Sequence, residues 1–235
     1  VTETVGEDSD YLYLLDTTTR EMRVVSQPES RANHGDGGFA WSPDSQTLYM
    51  SSNTDREFAA VVAYDVIGGR FESLVESEFD LADVQLCGEN GAYLVWTENR
   101  NGFDVLGGRH LASGSAISFP AIPEGVYSLS CSQQSSTLIV GVNGWQTPGD
   151  IHAIDLFGGA GKRLVDSNLA GIQVESLVRP ESITMVARDG VELQGLLYLP
   201  HGGDQASQPP VIFEVHGGPT AQSRASFDPV SQYHV

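Results

Sequence analysis

A mainly β chain, built from repeated four-stranded blades of a β-propeller, is what this sequence predicts. Three observations carry that prediction. Apolar positions recur at a constant shift of 45 residues. Turn-forming residues fall at the same places in each copy. The chain also carries 26 glycines and 11 prolines, more than an average globular chain, which fits many turns between short strands.

The elements follow in order. Tyr11-Leu12-Tyr13-Leu14-Leu15-Asp16 and Glu21-Met22-Arg23-Val24-Val25 read as the last two strands of an earlier blade. The first full copy predicts strands near residues 37–42, 47–52, 59–66 and 70–75. Pro43-Asp44-Ser45 turns the chain between the first two, because proline presets φ and aspartate bonds the backbone ahead of it. Gly68-Gly69 makes the hairpin between the last two. A shift of 45 places Val84, Leu86, Tyr93, Leu94 and Val95 under Phe39, Trp41, Leu48, Tyr49 and Met50. A second shift places Leu129, Cys131, Leu138, Ile139 and Val140 there. Asp65 meets Asp155, whereas the middle copy has His110 at that place and is degenerate. Four strands in about 45 residues match one blade. About three and a half blades cannot close a ring, so the isolated chain is expected to be marginal or aggregation-prone through its unpaired edges.

Composition narrows the partners. The net charge is −19, from 31 acidic residues against 12 basic ones, and Lys162 is the only lysine. A surface this acidic repels phosphate backbones and anionic lipid, so neither nucleic acid nor membrane is an expected partner. No apolar run reaches the ~20 residues of a membrane span. The opening VTETVGEDSD does not read as a signal peptide; the compartment, cytoplasmic or periplasmic, and the oligomeric state are left open. Cys87 and Cys131 have no metal-ligand spacing. Cys87 aligns with Ser42 and Cys131 with Trp41, which puts them on opposite strand faces. They are therefore expected to be buried free thiols. No cofactor or metal is implied.

The period breaks after Leu164-Val165-Asp166-Ser167, and Arg179-Pro180-Glu181 opens a different pattern. Strands are expected over residues 182–188 and 191–199, joined by an Asp189-Gly190 hairpin turn and stopped by Pro200. A polar, Gly-rich loop covers 201–208. Val211-Ile212-Phe213-Glu214-Val215 then suits a strand buried on both faces, and it runs into His216-Gly217-Gly218-Pro219. The residues from Phe227 to Val235 read as the start of a helix.

Two parts of the chain resemble one family. Trp41-Ser42-Pro43-Asp44 before an apolar strand resembles the WSPDG blade signature of TolB-like and peptidase propellers. Pro180-Glu181, Asp189-Gly190, Leu199-Pro200 and His216 to Pro219 resemble, in order and spacing, the start of the catalytic domain of the prolyl oligopeptidase family. The HGGP segment behind a propeller is most similar to its acylaminoacyl-peptidase and dipeptidyl-peptidase-like branch. The resemblance covers residues 180–219 closely and 37–178 loosely. It implies C-terminal propeller blades over 1–178 and the first strands of a truncated α/β-hydrolase domain over 179–235.

The same resemblance implies the chemistry. In acyl transfer, fixed backbone N–H groups stabilise the oxyanion of the tetrahedral intermediate. A Gly-Gly at the end of a buried strand suits this, since no Cβ blocks the substrate. The Gly218 N–H is assigned as one donor, with Gly217 and His216 shaping the loop; in α/β-hydrolases the other comes from the residue after the nucleophile. His201-Gly202-Gly203 repeats the tripeptide without a leading strand and reads as a connector. No G-x-S-x-G elbow is present, and Gly114-Ser115-Ala116 lacks its second glycine. The nucleophile, Asp and His of a triad are not in the chain, which ends 16 residues after Pro219. His34, His110 and His152 fall in blades and read as structural. The implied function is part of a serine peptidase acting on short aminoacyl, acylaminoacyl or dipeptidyl substrates, the chain alone being inactive and the peptide its substrate partner. A non-catalytic binding propeller would explain only residues 1–178. An esterase sharing the HGG loop would explain only 180–219.

Overall fold

In the computed structural model, described for residues 1–27, 29, 31–202, 210–218 and 220–235, the chain forms sixteen strands and one short helix. The first sheet holds β1 (Thr2–Gly6), β2 (Ser9–Leu15) and β3 (Met22–Ser26). The second is a meander of β4 (Ala40–Trp41), β5 (Thr47–Ser52), β6 (Ala60–Asp65) and β7 (Arg70–Val75). The third holds β8 (Leu81–Cys87), β9 (Tyr93–Arg100) and β10 (Phe103–His110). The fourth is again a four-stranded meander, β11 (Val126–Cys131), β12 (Thr137–Gly144), β13 (Thr147–Asp155) and β14 (Gly161–Val165). A separate hairpin pairs β15 (Glu181–Val186) with β16 (Glu192–Leu197), and α1 spans Pro229–His234.

The four sheets stack face to face, and three apolar clusters fill the gaps between them. Leu12 meets Leu48, Met50, Val62 and Tyr64 between the first two sheets. Val61 and Ala40 meet Val84, Leu86, Leu94 and Trp96 between the second and third. Cys87, Tyr93 and Val95 meet Leu129, Leu138, Val140 and Ile154 between the third and fourth. Neighbours on one strand point to different gaps: Val61 and Val62, or Leu94 and Val95. A middle strand thus buries both faces. That is why these strands read as unbroken apolar runs rather than as alternations.

The repeated aspartates are turn clamps. The Asp65 carboxylate accepts the N–H groups of Ile67 and Gly68, and Asp155 does the same for Phe157 and Gly158. Asp16 accepts from Thr18 and Thr19 in the first sheet. The third sheet has His110 instead and no fourth strand. Only a bridge from Arg109 to Ala116 stands there, and Pro120 and Pro123 follow, which cannot donate to a ladder. Ile117 and Phe119 still pack on the third gap.

Other expectations need correction. An unpredicted strand, β1, pairs with β2. Its residues are exposed throughout, so no apolar pattern announced it. Asp189-Gly190 is not a two-residue turn. Val186 pairs with Glu192, the Ala187 carbonyl accepts the Gly190 N–H, and only Gly190 of the pair has positive φ, +89°. That is a longer loop ending in a left-handed glycine. A two-residue turn with both residues at positive φ stands at Asn101-Gly102 between β9 and β10, with φ of +52° and +93°.

Cys87 and Cys131 are joined in a disulfide, their Cα atoms 5.1 Å apart. The expectation of free thiols fails for a geometric reason. They do lie on opposite faces of equivalent strands, but β8 and β11 belong to stacked sheets. The face of one sheet that looks forward meets the face of the next that looks back, so opposite faces are the ones that touch.

The Pro43-Asp44-Ser45 turn forms as expected, with Ser42 Oγ donating to Asp44 Oδ1 at 2.6 Å. Ser45 takes a φ of +57° where the blade signature carries glycine. A left-handed L-residue costs about 1–2 kcal/mol, partly offset by the extra entropy glycine loses on folding. Ser45→Gly is expected to raise the unfolding free energy by about 0.5–1 kcal/mol. Urea denaturation checks this, and an unchanged or lowered midpoint contradicts it.

Candidate functional site

The segment after β16 carries the sequence-derived site. Gly203, the rest of the Gly-rich loop to residue 208, and Pro219 lie outside the described residues. His201 donates from Nε2 to the Leu177 carbonyl at 3.2 Å, a tie within a connector. Residues 210–216 run without regular structure, and this overturns the expected buried strand at 211–215. Phe213 is 78% exposed and Val215 86%. The composition is that of a strand buried on both faces, yet no strand among the described residues pairs with it. Exposed apolar backbone without a ladder partner has nothing to hold it as a strand.

His216, Gly217 and Gly218 are exposed and adjacent. The His216 Nδ1–H donates to the Gly217 carbonyl at 3.2 Å. Gly218 has a φ of +56°, and a Cβ built on it would meet nothing within 4 Å. Its carbonyl accepts the Ala221 N–H at 3.0 Å, closing a turn. Only glycine adopts this conformation at low cost.

Downstream, Asp228 caps α1. Its carboxylate accepts the Val230 N–H at 2.9 Å and the Ser231 hydroxyl at 2.5 Å, with Pro229 opening the helix. Burial pushes the Asp228 carboxyl up, but the Ser231 and Val230 bonds outweigh it and hold it below the usual range. Tyr198, at the end of the hairpin, is pushed up to about 12 by burial and by the nearby Asp228 and Glu214 charges.

This segment is tied to the third and fourth sheets. Asn99 Nδ2 donates to Gln222 Oε1 at 2.6 Å, and the Ala225 N–H to the Gly102 carbonyl at 2.9 Å. Arg224 Nη2 donates to Asp104 Oδ1 at 2.5 Å. The Phe227 N–H reaches Asn143 Oδ1, and the Gln232 amide both donates to and accepts from the Val178 backbone. Arg179 grips Glu124 with two bonds, 2.7 and 3.0 Å, and lies 5.3 Å over the Phe103 ring. These ties were not read from the sequence. The Asn101-Gly102 turn that anchors several of them was a legible local signal; the pairing of Arg224 with Asp104 was not.

The predicted histidines are apart from this segment. His34 is buried between Ser52 and Ser26, its ring nitrogens 2.9 and 3.1 Å from their hydroxyls, and burial pushes its pKa down. His152 is buried on β13 and His110 packs edge-on against Tyr93.

The stacked-blade architecture has close counterparts among solved structures. Puromycin hydrolase matches over 96% of this chain with a TM-score of 0.78 at 18% identity. Prolyl oligopeptidase B of Galerina marginata, bound to a 35-residue substrate, matches over 80% with a TM-score of 0.66 at 17% identity. No protein-family model matches the chain. In sequence, it is 29% identical over 169 residues to the uncharacterized peptidase YuxL of Bacillus subtilis (strain 168), covering 66% of this chain. The chain is thus similar in sequence to a peptidase. It has the propeller-blade fold of the matched solved structures. It spans 26% of the length of YuxL, 27% of the Galerina oligopeptidase and 35% of puromycin hydrolase.

Proposed function

We propose that this chain is the blade-to-hydrolase part of a serine peptidase that cleaves short peptides through an acyl-enzyme. Residues 1–178 would be its propeller portion and 179–235 the start of its catalytic domain. His216, Gly217 and Gly218 form the oxyanion loop in this reading, with the Gly218 N–H as donor. The observation that carries it is the left-handed, unobstructed Gly218 at the end of an apolar segment, downstream of stacked blades. A donor held at the developing oxyanion is worth about 3–4 kcal/mol in the transition state. The nucleophile and its base would come from a part of the protein this chain does not carry. The substrates would be aminoacyl, acylaminoacyl or dipeptidyl derivatives.

The test starts from the native protein in its source cells, detected with an antibody to this chain. The expected species is well above 25.2 kDa, reacts with a fluorophosphonate probe, and hydrolyses aminoacyl or acylaminoacyl p-nitroanilides until the probe blocks it. A native species of 25.2 kDa that ignores the probe would overturn the proposal and leave a binding propeller.

A further inference from the structure

The tie between Arg224 and Asp104 joins residues 120 apart, and it differs in kind from the other contacts of the C-terminal segment. Asp104 lies one residue beyond Phe103, at the base of the Asn101-Gly102 turn of the third sheet. Its side chain is 4% exposed. One carboxylate oxygen, Oδ2, accepts the Tyr127 N–H at the start of β11, 2.8 Å away. The other takes the Arg224 guanidinium. A single buried carboxylate thus joins the third sheet, the fourth sheet and the segment that follows the glycine loop. Arg224 is 29% exposed and also directs Nε toward the Gly102 carbonyl. Next to it, Ala225 is fully buried and donates to that same carbonyl. The Gly102 turn lies in van der Waals contact with this segment and with the hairpin. A Cβ there would meet the Ser223 carbonyl at 3.4 Å, Leu196 at 3.6 Å and the Ala225 nitrogen at 3.8 Å. Arg224 comes six positions after Gly218, and the turn closed by the bond from the Ala221 N–H to the Gly218 carbonyl spans the first three of those steps.

We propose that Arg224 and Asp104 form a latch through which the blade stack fixes the place of residues 216–218. The pair is a positioning device and takes no part in bond making. Its strength comes from burial. A charge-assisted bond to a carboxylate shielded from water is stronger than a neutral one, and removing one partner strands the other charge. By contrast, the Arg179–Glu124 pair is about half exposed on both sides and contributes little by itself. Geometry close to the loop matters because a displacement of about 1 Å at a reacting centre can cost up to about 10²-fold in rate.

The test is hydrogen exchange on the native protein with Arg224→Gln, Asp104→Asn and the double variant. Each single variant is expected to speed exchange of residues 220–226 by about tenfold or more, while β12 exchanges as before. The double variant should be no worse than the worse single one, because both remove the same bond. Arg224→Lys, which keeps the charge, should restore part of the protection. Unchanged exchange in both single variants would overturn the latch. This arm needs no enzymatic activity, so it decides the latch even if the peptidase reading fails. The catalytic arm rests on that reading: in a protein that hydrolyses p-nitroanilides, the single variants should lower kcat with little change in KM. Faster exchange with an unaltered kcat would overturn the claim that the latch positions the glycine loop.

Discussion

Opening the Cys87–Cys131 bridge lowers the unfolding free energy by about 4 kcal/mol in the chain-entropy description of a cross-link that closes 44 residues. The bridge ties the end of β8 to the end of β11, across the gap between the third and fourth sheets. The third sheet lacks a fourth strand, and the link between these sheets runs through residues 111–125, which hold no strand of their own. Around the bridge the backbone also joins, with the Gly88 N–H donating to the Ser132 carbonyl at 2.8 Å. Two measurements separate the cross-link from simple packing. Dithiothreitol reduction of the wild-type chain leaves every atom but the S–S bond in place, and should give most of the loss. The Cys87→Ala/Cys131→Ala variant should match it, with a small further cost for the fully buried Cys87 sulfur. Identical urea midpoints with and without reductant would show that the bridge contributes nothing.

That bridge also shows how a correct sequence observation led to a wrong expectation. The 45-residue frame placed the two cysteines on opposite faces, and they are. Within one sheet such residues cannot meet. Between stacked sheets they are the pair that does. The same frame made the blades legible: strands buried on both faces give contiguous apolar runs, and the turns between them need proline, aspartate or glycine at fixed offsets. Asp65 and Asp155 repeat because each carboxylate clamps the turn after the third strand. His110 breaks the series where the third sheet loses its outer strand.

What stayed illegible has physical reasons as well. Strand β1 is a polar edge, and its pairing depends on the free side of β2 rather than on its own residues. Val211 to Val215 have the composition of a buried strand, but composition supplies no partner, and here they are exposed. The Arg224–Asp104 pair follows no period and no motif. Its two residues are brought together only after two sheets and a hairpin are in place. Sequence reasoning could single out the His216-Gly217-Gly218 segment because its pattern is local. It missed the contacts that hold the following segment, because those are set by the tertiary fold.

Gly218→Pro in the native protein is expected to lower kcat by about 10²–10³-fold, with KM nearly unchanged. The substitution removes the one N–H assigned to the oxyanion. That donor stabilises charge present in the tetrahedral intermediate and absent from the bound substrate, so its loss falls on kcat. Proline also fixes φ near −65°, whereas Gly218 sits at +56°, so the loop must re-form around it. Gly218→Ala separates the two effects. It keeps the N–H, and its Cβ would meet nothing within 4 Å. It carries only the left-handed strain of about 1–2 kcal/mol, which the exposed turn can relax. Alanine should therefore cost about tenfold or less. A lost donor predicts a wide gap between the two variants. If proline and alanine lower kcat equally, shape rather than the N–H accounts for the effect, and Gly218 is not the oxyanion donor. If neither changes kcat while the fluorophosphonate probe still labels the protein, the peptidase keeps its nucleophile and the oxyanion is held elsewhere.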